Sequence, residues 1–125
     1  MQATLLVMLG GAIGSAARYH LGRLMLGWFG PGYPWGTLAA NLVGGLLMGA
    51  LAGVLARSNA TAEPWRLLLG VGLLGGFTTF SAFTLETANM IIRGQTGGAI
   101  GYALLSVAGA LMALFVGLQV TRALP

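Results

Sequence analysis

Four long apolar runs, separated by short polar or turn-forming stretches, make up this chain, covering residues 3–28, 35–56, 65–92 and 96–121. Each is long enough to cross a hydrocarbon core of about 30 Å as a helix, which takes about 20 residues. The separators are short: Gly30-Pro31-Gly32-Tyr33-Pro34 is a turn sequence, Arg57 to Pro64 is a polar loop, and Arg93-Gly94-Gln95 closes the third connection. Trp28, Trp35 and Trp65 fall at run ends, where an amphipathic ring favours the headgroup level. The pattern predicts an all-α integral membrane protein with four transmembrane helices in a single membrane domain, residues 1–125. No basic region precedes the first run and no convincing small-residue cleavage site follows it, so no removable signal peptide is expected.

Small residues recur at a spacing of four: Gly10 and Gly14 on the first run, Gly45, Gly49 and Gly53 on the second, Gly109, Ala113 and Gly117 on the fourth. That spacing places them on one helix face, where they let backbones approach closely. Their reading is structural.

The third run breaks the apolar pattern. Gly75-Gly76-Phe77-Thr78-Thr79-Phe80-Ser81-Ala82-Phe83-Thr84-Leu85-Glu86 combines a glycine pair, four hydroxyls and three phenylalanines. Polar side chains and opened backbone at membrane depth persist only where protein or a water-filled path surrounds them. Adjacent glycines followed by two threonines weaken a helix, so the third helix is expected to be broken near its middle. Such a break exposes carbonyls that hold cations and amides that face anions. Phe77, Phe80 and Phe83 step by three residues, a slanting ladder on one helical face. Packing or lipid contact is the ordinary explanation of such a stripe. Here the surrounding hydroxyls favour another, because ring edges carry positive character and hydroxyls donate, a combination suited to a small anion.

Other polar groups lie within the runs. Asn41, six residues beyond Trp35, is costly there unless paired, and interhelical hydrogen bonding is its commoner role. Tyr102 and Ser106 sit one turn apart on the fourth run. Arg18 lies too deep in the first run for a simple end anchor, and Glu86, at the end of the phenylalanine ladder, is its candidate partner or lines the same vestibule.

Composition narrows the function classes. The chain is 57% hydrophobic and 6% charged, with a mean hydropathy of +0.87, too apolar for a soluble domain of this size. The net charge of +4 comes from six arginines spread singly, with no basic patch to hold a phosphate backbone, so no nucleic-acid partner is expected. With no cysteine, one histidine and two acids, there is little material for acid–base or metal-centred chemistry, and no enzymatic activity is expected. Arg57, Arg66 and Arg122 fall on one side of a four-span chain, Arg23 and Arg93 on the other. A balance this even leaves both orientations open, and with them an antiparallel homodimer, unless another positive charge such as the amino terminus sets the topology.

These pieces together resemble the Fluc (CrcB) family of small fluoride channels. The matching segments are Gly10-Gly11-Ala12-Ile13-Gly14-Ser15-Ala16-Ala17-Arg18-Tyr19, then Gly36-Thr37-Leu38 with Asn41 and Gly44, and Gly75 to Phe83 with Glu86. The resemblance implies an antiparallel dual-topology homodimer in a bacterial-type inner membrane, two antiparallel fluoride pores, passive export of fluoride, and a structural sodium ion near the dimer centre. Carried over by motif position, Phe80 and Phe83 are the pore rings and Asn41 the pore amide, with Tyr102 and Ser106 on a polar track. Gly75 and Thr78 hold the sodium through their carbonyls, and Arg18 and Glu86 belong to the vestibule. One departure is visible: the family commonly reads Phe-Ser-Thr-Phe where this chain has Ala82, so one possible track hydroxyl is missing. Two other readings compete. A small multidrug-type proton-coupled exporter needs a membrane-embedded carboxylate that the first run lacks, and a noncatalytic packing subunit explains the glycines but not the hydroxyl and phenyl cluster.

Overall fold

The computed structural model describes residues 1–58 and 62–125, and these are helical apart from short connections. Helix α1 spans Gln2–Phe29, α2 Trp35–Leu55, α3 residues 63–77, α4 Ser81–Ile92 and α5 Thr96–Ala123. Helices α3 and α4 are two halves of the third apolar run, so the described residues form four helical passes with a break in the third. The polar loop expected from Arg57 to Pro64 lies partly outside the described residues, and the helix after it has already begun at Glu63.

Among the described residues, three passes are long and apolar enough to cross a membrane: Trp35–Leu55, Glu63–Ile92 and Thr96–Ala123. Helix α1 is long enough, at 28 residues or about 42 Å, but Arg18, His20 and Arg23 make its second half less apolar than the other three. Large apolar side chains stand exposed on the outer faces, among them Leu104, Val107, Leu111, Met112 and Val116 along α5. An exterior of that extent suits a lipid surround rather than water.

Backbone proximity holds the bundle together. Helix α2 lies chiefly against α5, and α1 against α3. A β-carbon at Gly49 would run into the Leu114 carbonyl of α5, and one at Gly10 into the Leu68 carbonyl of α3. The spacing of four noted in the sequence therefore marks the two tightest seams, where small residues let helix backbones touch. Away from the seams, a cluster of Leu38, Phe83, Met90, Ala99 and Tyr102 joins α2, α4 and α5 near one end of the bundle.

The glycine pair does something other than break the helix. Residues Gly75–Phe77 remain helical, and the chain leaves helical geometry only at Thr78, whose φ of −84° and ψ of 159° are extended. Gly76 serves α1 instead: a β-carbon there would stand 2.7 Å from the Gly11 carbonyl oxygen. Upstream, Arg66–Leu74 is wound in wide π-type turns, and the Gly75 amide bonds the Gly70 carbonyl five residues back. Wide turns of this kind are rare and tend to mark functional segments.

Candidate functional site

The break is built from threonines and one asparagine. Thr78 folds its hydroxyl back onto the Leu74 carbonyl at 2.9 Å, and its own amide bonds the same oxygen at 3.0 Å. Local side-chain bonds of this kind compete with continued helix. Next, the Thr79 amide donates to Asn41 Oδ1 at 2.9 Å, while Asn41 Nδ2 donates to the Thr79 carbonyl at 3.0 Å. In a continuous helix the Thr79 amide would bond the Gly75 carbonyl four residues earlier, so Asn41 both satisfies the opened peptide and frees that carbonyl. The Thr79 hydroxyl then accepts from the Ala82 amide at 3.2 Å, taking up one of the unpaired donors that open α4.

Three expectations are corrected here. The glycine pair is not the break, for the reason given above. Phe77, Phe80 and Phe83 do not share one helical face, because the chain turns between the first and the second: Phe77 lies in α3 beside Gly44, while Phe80 and Phe83 flank the start of α4 with ring centroids 5.6 Å apart. Nor do Arg18 and Glu86 pair. Arg18 Nε reaches the Gly76 carbonyl at 3.2 Å, where a cation complements the negative end of the interrupted helix. Glu86 accepts from the Thr37 hydroxyl on one oxygen and the Tyr102 hydroxyl on the other, both at 2.7 Å.

The remaining residues singled out in the sequence gather on one side. An open groove of about 590 Å³ is lined by Asn41, Gly75, Thr78, Phe80, Phe83 and Ser106, with Thr79 between them. Phe80 is 74% exposed, whereas Phe83 is 8% exposed and packs on Tyr102 at 5.3 Å between centroids. Ser106 is 5% exposed, and its Oγ is buried with no hydrogen-bond partner among the described residues. A buried hydroxyl left unpaired is costly, so one beside a groove marks a place for something that accepts a hydrogen bond. Tyr102, by contrast, is fully buried and has its hydroxyl on Glu86, behind the groove rather than in it.

Two residues named in the sequence take roles that it did not assign. Thr37 stands four residues before Asn41, on the same face of α2, and that spacing was the available signal. Thr79 acts through its backbone and hydroxyl at the break, a role that residue type alone does not reveal.

Taken together, the site offers ring edges, hydroxyl and amide donors, the N-terminal amides of α4, and freed carbonyls close by. The first three suit a small anion, the last a hard cation.

Comparison with known proteins gives the family. The family model described as "CrcB-like protein, Camphor Resistance (CrcB)" matches residues 5–118. A protein of Phenylobacterium zucineum named "Fluoride-specific ion channel FluC" is 62% identical over 123 residues, covering 98% of this chain and 97% of its own length. Proteins of the same name from Erythrobacter litoralis and Mesorhizobium japonicum are 54% and 50% identical, covering 98% and 97% of this chain and 93% and 97% of their own lengths. With the family pattern running through nearly all of its length, the chain belongs to the CrcB-like family.

Proposed function

We propose that this protein is a fluoride-selective channel that lets the anion leave the cell passively. It is a multi-pass membrane protein of the bacterial inner membrane, as the bacterial relatives and the apolar passes indicate. The observation that carries the reading is the groove at the helix break, where Phe80, Phe83 and an unpaired buried Ser106 hydroxyl stand together. Fluoride is small and hard, so a narrow path that replaces its water with hydroxyl donors and ring edges favours it over larger halides. Because fluoride enters cells as neutral HF and dissociates inside, an anion leak lowers internal fluoride without an energy source.

The conducting unit in this reading is an antiparallel homodimer with two pores. Phe80 is too exposed for a finished pore wall, and a second copy laid over the groove supplies the missing side. The near-even arginine balance supports insertion in both orientations. A structural sodium ion between the copies is part of the proposal. The Gly75 carbonyl loses its helical partner at the break, and it and Thr78 line the groove, so they fit as hard oxygen ligands. Two carbonyls are too few for an alkali ion, and the antiparallel copy doubles them. Asn41 retains one amide hydrogen beyond its bond to Thr79 and offers it to the pore, Tyr102 and Ser106 belong to the polar track, and Arg18 and Glu86 face the vestibules.

Purified protein in liposomes tests the reading. Loaded fluoride is expected to leave on addition of a potassium ionophore, with chloride retained; absent efflux, or equal passage of chloride, overturns it.

A further inference from the structure

A run of aromatic contacts continues from the groove to the loop between α1 and α2. Beyond the Phe80–Phe83 and Phe83–Tyr102 pairs, Tyr102 meets Tyr33 with centroids 5.6 Å apart and planes at 85°. That edge-to-face arrangement is a favoured geometry for aromatic rings and a directional one. It matters because the Tyr102 hydroxyl donates to Glu86, so whatever fixes the Tyr102 ring also fixes that donor.

Tyr33 is itself held by its loop. Gly30 turns the chain at a φ of 75° and bonds the Leu26 carbonyl, the Trp35 amide bonds the Tyr33 carbonyl at 2.9 Å, and the Leu38 amide bonds Pro34 at 3.1 Å. Gly36 and Gly22 bring the start of α2 against α1, since a β-carbon at Gly36 would stand 2.8 Å from the Gly22 α-carbon. The Trp35 ring closes over Tyr33 at 4.8 Å. Burial raises the Tyr33 phenol above its ordinary value. Tyr33 also lines a cavity of about 330 Å³ together with Thr37, Glu86, Asn89 and Arg93. Tyr33 therefore borders that cavity and packs on Tyr102.

We infer that Tyr33 is a positioning residue for anion passage: packed perpendicular to the Tyr102 ring, it holds the Tyr102 hydroxyl on Glu86. Without that ring, Tyr102 gains room to tilt, Glu86 loses one of its two donors, and a freed negative charge opposes an anion. The inference rests on the fluoride-channel reading.

Fluoride efflux from liposomes tests it with four variants. Tyr33→Phe keeps the ring edge and is expected within twofold of the unaltered protein. Tyr33→Ala is expected at least tenfold slower, with its gel-filtration profile unchanged; Tyr33→Leu, which keeps bulk without a ring, takes its place under the same threshold if the alanine variant does not fold. The double variant Tyr33→Ala with Tyr102→Phe, or Tyr33→Leu with Tyr102→Phe, is expected within twofold of Tyr102→Phe alone, because the hydroxyl that Tyr33 positions is already gone. Efflux by the ringless variant within twofold of the unaltered protein, or full multiplication of the two effects, overturns the inference. If the unaltered protein passes no fluoride, the channel reading itself falls; if it conducts and the ringless variant conducts equally, only the role of Tyr33 falls.

Discussion

Asn41 spans the helix break with both ends of its carboxamide on one residue, accepting from the Thr79 amide at 2.9 Å and donating to the Thr79 carbonyl at 3.0 Å. A backbone opened at membrane depth needs such a partner, because neither lipid nor a neighbouring turn supplies one. The side chain that stabilises the break also shapes the groove beside it.

Replacing Asn41 with leucine keeps the branched shape of the side chain and removes both bonds. The unpaired Thr79 groups then cost about 1–3 kcal/mol, read as a lower melting temperature in detergent. Fluoride efflux is expected to fall at least tenfold, since the break positions Phe80 and the start of α4. Efflux at the original rate would remove Asn41 and the break geometry from the pathway.

The seams give a purely structural prediction. Gly49→Ala places a methyl against the Leu114 carbonyl group of α5, whose backbone cannot yield as a flexible side chain would. Overpacking of this kind costs about 1–3 kcal/mol, expected as a lower melting temperature and reduced recovery of folded protein. Gly101→Ala, inside α5 with nothing within 4 Å of the added carbon, is expected to hold or raise the melting temperature, since alanine favours a helix over glycine. Equal behaviour of the two variants would contradict the close approach of α2 and α5.

Much of this fold was legible because lipid imposes simple rules. Long apolar runs, tryptophans at their ends and small residues every fourth position foretold the helices and the two seams. The position of the break was not legible, because Gly75 and Gly76 satisfy two demands that look alike in sequence: loosening a helix and admitting a neighbour. Only the approach of α1 at Gly11 decides between them. The phenylalanine ladder failed for the same reason, as its helical spacing presumed a helix that ends at Phe77. Arg18 and Glu86 carry opposite charge and share a membrane, yet each found partners elsewhere, on the Gly76 carbonyl and on the Thr37 and Tyr102 hydroxyls. Pairing of that kind depends on which helix faces meet, and a single sequence does not contain it.

Thr37 and Tyr102 share one carboxylate, so their effects are expected to be coupled. Thr37→Val and Tyr102→Phe each leave one Glu86 oxygen without its donor and are expected to slow efflux. Together they should fall short of the product of the single effects, by an interaction of about 0.5–3 kcal/mol, as for residues in one hydrogen-bonded network. Strict multiplication in a double-variant cycle of efflux rates would mean that Glu86 does not link them.

Ser106 separates packing from passage. Its Oγ is buried without a hydrogen-bond partner among the described residues, so Ser106→Ala removes an unsatisfied group and is expected to hold or raise stability, by up to about 1–3 kcal/mol. A hydroxyl that serves fluoride predicts slower efflux from the same, more stable protein. Stability and transport moving in opposite directions is the outcome sought, and unaltered efflux would assign the hydroxyl no part in transport.

Phe80 and Phe83 sit three residues apart but face different surroundings, and truncating each should have a different consequence. Phe83 is 8% exposed, in contact with Tyr102 and part of the apolar cluster joining α2, α4 and α5. Loss of a buried phenyl group costs about 3–5 kcal/mol, so Phe83→Ala is expected to lower the melting temperature sharply along with efflux. Phe80 is 74% exposed in the single chain, so its truncation leaves that fold nearly untouched. If its ring edge contacts the passing ion, Phe80→Ala or Phe80→Met loses efflux in a protein whose elution volume is unchanged. If its ring only packs against the second copy of the proposed dimer, the elution volume shifts towards that of a monomer. Measuring elution and efflux on the same preparation distinguishes a pore ring from an interface ring.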